Sequence, residues 1–244
     1  MKNLFLSLTI ILILASCSKD SGSSSDKASA GAGVGGSLAR FATTSTHLYT
    51  VSTSDIKTYD VSTATNPVYQ STRNLGFDVE TIFPKNDKLF IGTQTGMKIL
   101  DIKDPDAPQQ ISSFTHIRSC DPVVANDKYA FITLRVSSPC TRGVNELQVL
   151  DISNIYNPKL IMQLPMAEPK GLAIDGNNLF VCDGGIKHYD ISNINNITLK
   201  KKTVVDATDV IANDGILMVI GTNGLYQYSY SSGDLKFLSQ ISIK

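Results

Sequence analysis

Tryptophan is absent from this 244-residue chain, cysteine occurs four times and histidine three times. Each scarcity removes a class of function. The strongest aromatic platform for stacking on sugar rings is missing, and only nine tyrosines and nine phenylalanines remain to supply one. The four cysteines form no CxxC pair, which speaks against a zinc ribbon or a dithiol redox centre. His47, His116 and His188 stand far apart, and there is no HExxH, no G-x-S-x-G and no phosphate-binding loop. Acidic residues such as Asp104 and Asp106 match no calcium loop at EF-hand spacing, and turn chemistry accounts for them. Neither a metal nor another cofactor is expected. Charge of one sign is lacking as well. Twenty-two basic residues balance 22 acidic ones, so no long-range positive field favours nucleic acid as a partner.

Long apolar runs are limited to one, at the start. Lys2 precedes Leu4 to Leu14, which only Ser7 and Thr9 interrupt. A run of that length is too short for a mature membrane span, which takes roughly 20 apolar residues, and it has the flanks of a signal-peptide core. Leu14-Ala15-Ser16-Cys17 resembles the lipobox of bacterial lipoproteins. The resemblance implies cleavage after residue 16 and a lipid on Cys17, the alternative being an ordinary cleaved leader. Residues 17–37 are then the lipidated cysteine and a Ser/Gly/Ala-rich linker that cannot bury enough apolar surface to order itself. Such a tether reaches about 25 Å. Ser18, where an inner-membrane protein of the enterobacterial type carries Asp, favours the outer membrane, on its periplasmic or cell-surface side. Lys19 and Asp20 form a thin charged patch of the kind that resembles a surface-export signal.

Residues 38–244 suffice for one domain with a proper core. They are repetitive. Ile56-Lys57-Thr58-Tyr59-Asp60-Val61, Met97-Lys98-Ile99-Leu100-Asp101-Ile102, Leu147-Gln148-Val149-Leu150-Asp151-Ile152 and Ile186-Lys187-His188-Tyr189-Asp190-Ile191 align, with Leu225 to Tyr230 as a degenerate fifth copy. Asp60, Asp101, Asp151 and Asp190 sit where each short strand ends, positioned to accept a backbone hydrogen bond two residues on. Ser229 takes that place in the fifth copy. Seven residues after each Asp come Pro67, Pro108, Pro158 and then Ile197, at the start of an outer strand that tolerates a missing N–H. Ahead of each aligned row lie two more short apolar runs joined by turns such as Asn86-Asp87, Asn126-Asp127, Asp175-Gly176 and Asp214-Gly215.

Four strands in about 40 residues make the blade of a β-propeller. The expected fold is all-β, a propeller of about five four-stranded blades, with an open solenoid or a sandwich as the alternative. The repeats run in phase from end to end, which leaves no first-unit strand to complete the last blade and predicts closure by face packing alone, unless the N-terminal stretch pairs differently. The rows, above all Leu147 to Ser153, resemble the LVIVD repeat of bacterial and archaeal surface proteins. That resemblance implies a surface lipoprotein of undefined biochemical role and supplies no catalytic residues.

Site residues follow from this frame. Cys120 and Cys140 flank the insertion that lengthens the third repeat, and in an exported protein they are expected to form a disulfide. Cys182 reads as a buried small residue, and His188 as a packing histidine. Polar residues gather at the starts of the innermost strands: Asp78 and Glu80, Arg118 and Asp121, Glu168 and Lys170, Asp206 and Asp209. With Arg135 and Arg142 from the insertion they mark one channel mouth, and Asp121, Arg135, Arg142 and Lys170 are the candidate ligand-binding set. Guanidinium groups there suit a carboxylate or sulfate. The expected function is a non-catalytic binding module, membrane-anchored and monomeric, whose partner is an envelope protein or a glycan. The alternative is a hydrolase or lyase acting on glycans at the same mouth.

Overall fold

The computed structural model describes residues 35–119, 122–136, 143–231 and 233–243. They fold into five antiparallel sheets of four consecutive strands each. The first blade is β1 (Phe41–Thr43), β2 (His47–Val51), β3 (Asp55–Asp60) and β4 (Val68–Asn74). The second is β5 (Val79–Lys85), β6 (Lys88–Thr93), β7 (Gly96–Asp101) and β8 (Gln109–Thr115). The third is β9 (Val123–Ala125), β10 (Tyr129–Leu134), β11 (Glu146–Asp151) and β12 (Lys159–Pro165). The fourth is β13 (Leu172–Asp175), β14 (Asn178–Cys182), β15 (Ile186–Asp190) and β16 (Thr198–Thr203). The fifth is β17 (Asp209–Asn213), β18 (Ile216–Gly221), β19 (Gly224–Ser229) and β20 (Lys236–Ser242). The first strands of consecutive blades lie side by side around the axis, and the fourth strands form the exposed rim. The molecule is a five-bladed β-propeller.

The repeat can be followed atom by atom. Asp60, Asp101, Asp151 and Asp190 each accept a hydrogen bond from the backbone N–H two residues on, at 2.7, 2.7, 2.8 and 2.9 Å. Just ahead of that turn, the third and fourth strands of every blade slip register by one residue, between Thr58 and Tyr59, Ile99 and Leu100, Val149 and Leu150, His188 and Tyr189, and Gln227 and Tyr228. A bulge at a constant place adds twist to each blade in the same sense. Three third strands open on a glycine at positive φ or directly after one, at Gly96, Gly185 and Gly224. A Cβ at Gly185 would lie 2.4 Å from the carbonyl oxygen of Thr203, so the outer strand can approach only a glycine there.

Packing between blades is uneven. Tyr49, Phe90, Phe131 and Phe180 occupy one column of the second strands, and each is buried against the following blade. There it meets the aliphatic residues of that blade, as Phe131 meets Leu179 and Val181. Full burial of such a side chain stabilises by roughly 1.5–3 kcal/mol. Four apolar clusters of this kind join blades 1 to 2, 2 to 3, 3 to 4 and 4 to 5. Among the described residues there is no fifth cluster. The column ends in Met218, which is only partly buried, and beside it Ile220 is exposed. On the facing side of blade 1, Phe41 is exposed and Leu48 half-buried. A groove of about 340 Å³ runs along this seam, lined by Leu38, Phe41, Pro84, Ile211 and Ile220.

Closure by face packing, expected from the phase of the repeats, is therefore not what joins the ends. The segment leading into β1 does so instead. Ser37, 1% exposed, donates its hydroxyl to Asp209 Oδ1 at 3.0 Å and accepts from the Leu172 N–H at 2.8 Å. The Leu38 N–H donates to Asp209 Oδ2 at 3.2 Å. A Cβ on Gly36 or Gly171 would fall 2.2 or 2.0 Å from the same carboxylate, so both positions need glycine for the latch to form. Gly36 and Ser37, at the linker's end by composition, are thus engaged in the fold.

Candidate functional site: the channel mouth

The strand order puts the junctions between blades, together with the turns between second and third strands, at one end of the propeller. The starts of all five blades meet around a cavity of about 300 Å³ lined by Leu38, Glu80, Pro122, Arg135, Lys170 and Thr208. Arg135 and Lys170, singled out in the sequence, thus share one wall-to-wall space although 35 residues separate them. Asp121 and Arg142 lie outside the described residues, as do Cys17 and the Cys120–Cys140 pair.

Backbone bonds hold the two cations in place. Ser119 Oγ donates to the Arg135 carbonyl at 3.0 Å, and Thr133 Oγ1 donates to the Lys170 carbonyl at 2.6 Å. The Lys170 N–H donates to the Cys182 carbonyl at 2.8 Å. The guanidinium of Arg135 has the Glu168 carboxylate 3.9 Å away, a loose pairing on a solvated rim. Among the described residues no carboxylate forms an ion pair with the Lys170 ammonium.

The acidic side of the mouth is tied up differently. Arg118 donates twice to Gln94 Oε1, at 3.0 and 2.6 Å, and its guanidinium stands 3.8 Å from Asp78. Gln94 in turn donates to Glu80 Oε1 at 3.0 Å. Asp78 holds a positive φ of 63° to reach its place. Asp206 accepts from the Thr222 N–H at 2.5 Å.

Two carboxylates are structural. Asp209, a mouth residue by sequence, is spent on the latch, and burial pushes its carboxyl up despite the hydrogen bonds from Leu38, Ser37 and Val210. Asp183, which no sequence signal distinguished, anchors the junction before β13. It accepts from the N–H groups of Ala167 and Glu168 at 3.2 and 2.7 Å and pairs with Lys187 at 2.6 Å. Burial works against its ionisation, but the Glu168 N–H, the Lys187 ammonium and the Ala167 N–H together hold its carboxyl below the usual range. Gln94, Ser37 and Thr208 also carried no signal, since a single polar residue beside a turn looks like any other.

The scarce titratable residues lie away from the mouth cavity or are buried. Cys182 is a buried free thiol, pushed up by burial and by the charge of Asp209 against the opposing pull of Lys170. His188 is buried, stacked on Phe180 at 4.5 Å, with Nε2 2.9 Å from Asn178 Oδ1, and its burial favours the neutral ring. His47 bridges to Asp106 of the second blade at 2.8 Å, at the opposite end of the propeller.

Comparison with known proteins agrees with the fold. The LVIVD repeat family profile matches residues 140–164, which include β11 and most of β12. No curated protein is detectably similar in sequence. Among solved structures, a protein from Lactobacillus plantarum superposes with a TM-score of 0.64 at 13% identity, over 81% of this chain and 69% of its own. The periplasmic gluconolactonase PpgL of Pseudomonas aeruginosa gives 0.60 at 12%, over 81% and 68%. BamB from Moraxella catarrhalis gives 0.55 at 16%, over 87% and 64%. At such identities the likeness is one of fold. The chain carries one segment that matches the LVIVD repeat, and it folds as a five-bladed β-propeller.

Proposed function

We propose that the protein is an envelope lipoprotein, held to the outer membrane through Cys17, whose propeller binds an anionic group at the channel mouth without transforming it. The observation that carries this reading is that Arg135 and Lys170 line one cavity, where Arg135 pairs loosely with Glu168 and the Glu80 carboxylate accepts from Gln94. An ammonium beside a guanidinium is costly to leave unneutralised in a recess, and a carboxylate or sulfate placed between them removes the cost. The cavity accepts one sugar ring or one amino-acid side chain, which fits an acidic glycan or an acidic peptide of an envelope protein. Binding of a uronic-acid oligosaccharide, followed by calorimetry, should weaken at least tenfold in the Arg135→Ala, Lys170→Ala double variant. Equal affinity in both proteins removes the mouth from the account. Turnover of a lactone or polysaccharide by the wild type, lost in the same variant, would replace the binding reading with a catalytic one.

A further inference from the structure

The exposed apolar side chains are not spread evenly over the two ends of the propeller. Outside the strands, every exposed large apolar residue among those described lies at the mouth end, with Tyr156 as the one exception. Foremost are Phe77, 87% exposed, Val204, 89%, and Ile117, 54%. They stand on the junctions leading into β5, β17 and β9, so three different blades each present one. Leu38 and Ile243 join them at the same end, where Leu38 lines the mouth and the Ile243 N–H bonds the carbonyl of Asn223 in a second-to-third-strand turn. The opposite end carries the Asp turns and their Ser, Asn and Asp neighbours.

The chain also enters the described fold at this end. Gly35 is the first residue described, and Leu38, three residues further, is already in the mouth wall. Cys17 lies 18 residues upstream of Gly35. A lipid on Cys17 would therefore join the propeller from its mouth end. Large apolar side chains at loop tips, rimmed by Arg118, Arg135 and Lys170 together with Asp78, Glu80 and Glu168, are what a peripheral protein presents to the boundary between headgroups and acyl chains.

We propose that this end of the propeller docks on a lipid bilayer, with Phe77, Ile117 and Val204 inserted at the interface and the mouth opening on to the headgroups. The inference rests on the anchored reading for its setting, and its test separates the two. The chain from residue 17 on, with Cys17→Ala, keeps every described residue and has no lipid of its own. Lack of tryptophan makes a single introduced one an unambiguous reporter. In this background the indole of a Phe77→Trp variant should shift its emission to the blue on vesicles of phosphatidylethanolamine and phosphatidylglycerol, while that of Tyr156→Trp at the far end should not. The triple variant Phe77→Ser, Ile117→Ser, Val204→Ser should co-sediment with the vesicles at least tenfold more weakly than its parent. All three sites are exposed, so folding is preserved, which circular dichroism checks. An unchanged Phe77→Trp spectrum, equal shifts at both ends, or undiminished co-sedimentation of the triple variant would overturn the proposal. A shift of the Phe77→Trp emission produced by an envelope protein but not by lipid would overturn it too. Intact mass of the expressed wild type tests acylation of Cys17 independently of all these outcomes.

Discussion

Asp183 and Asp209 are buried carboxylates of adjoining blades, and they answer to pH in opposite senses. The carboxyl of Asp183 is held low, so its contribution is complete above the ordinary carboxylate value of about 3.9 and is lost as pH falls through the lower folded value. That of Asp209 is held high, so the cost of its buried charge is relieved as pH falls through the raised value toward the ordinary one. Asp183→Asn removes the acid that neutralises Lys187 and fixes two backbone N–H groups. It should cost about 2–3 kcal/mol at neutral pH and flatten the loss of stability below about pH 4. Urea titrations of both proteins at pH 3, 5 and 7 check this, and parallel acid limbs would assign the acid loss to other groups. Gly185→Ala should also destabilise, by about 1–3 kcal/mol, because the added carbon meets the Thr203 carbonyl and positive φ is lost to it.

In each of the first four blades one aromatic of the second strand plugs the next interface, and the fifth blade ends the series with Met218. Phe180→Ala opens a fully closed site between the fourth and fifth blades and should cost about 3–5 kcal/mol. Met218 occupies the same column but is only partly buried, two residues from Ile220 in the lining of the seam groove. Met218→Ala should cost about 1 kcal/mol, since little of the side chain leaves contact with protein atoms. Midpoints of urea unfolding, compared at constant slope, decide between them. Equal losses would mean that the seam is as closed as the other four interfaces. Polar bonds add to two of these interfaces. Ser112 bonds the Ile155 carbonyl, Lys201 meets Asp234, and Tyr230 bonds Asp175, each across a packed interface.

For the molecule as a whole, the ends of the ring meet through hydrogen bonds to the segment that enters β1. Ser37→Ala deletes the bond to Asp209 and leaves the buried Leu172 N–H without its acceptor, a loss of about 1–3 kcal/mol. Hydrogen exchange should quicken first in β1 and β17, with the second and third blades unaffected. Uniform quickening would mean that the latch serves global stability and not the seam. At the same scale, Cys17→Ala should turn a protein extracted only by detergent into one that washing releases from the membrane fraction, because docking through the mouth end is reversible without a lipid. Continued partition of that variant into detergent would place the anchor elsewhere.

The in-phase repeat, the Asp turn and the proline seven residues later were legible because each is a local pattern repeated along the chain. Periodicity alone thus determined the all-β class, the blade count and the strand boundaries to within a few residues. It also placed Arg135 and Lys170 at one mouth, since both stand next to predicted innermost or second strands. Latch, seam and mouth partners were not legible, because each joins single residues far apart in sequence. Ser37 and Asp209 are 172 positions apart, and nothing in a serine within a Ser/Gly tract or an aspartate before a strand names the other. Met218 could be aligned with Phe180, but only the packed ring reveals that the interface it faces is unfilled. Local patterns fix what each blade is. The way five blades meet depends on the sum of their twists and on what fills the remaining gap, and the tertiary structure alone decides that.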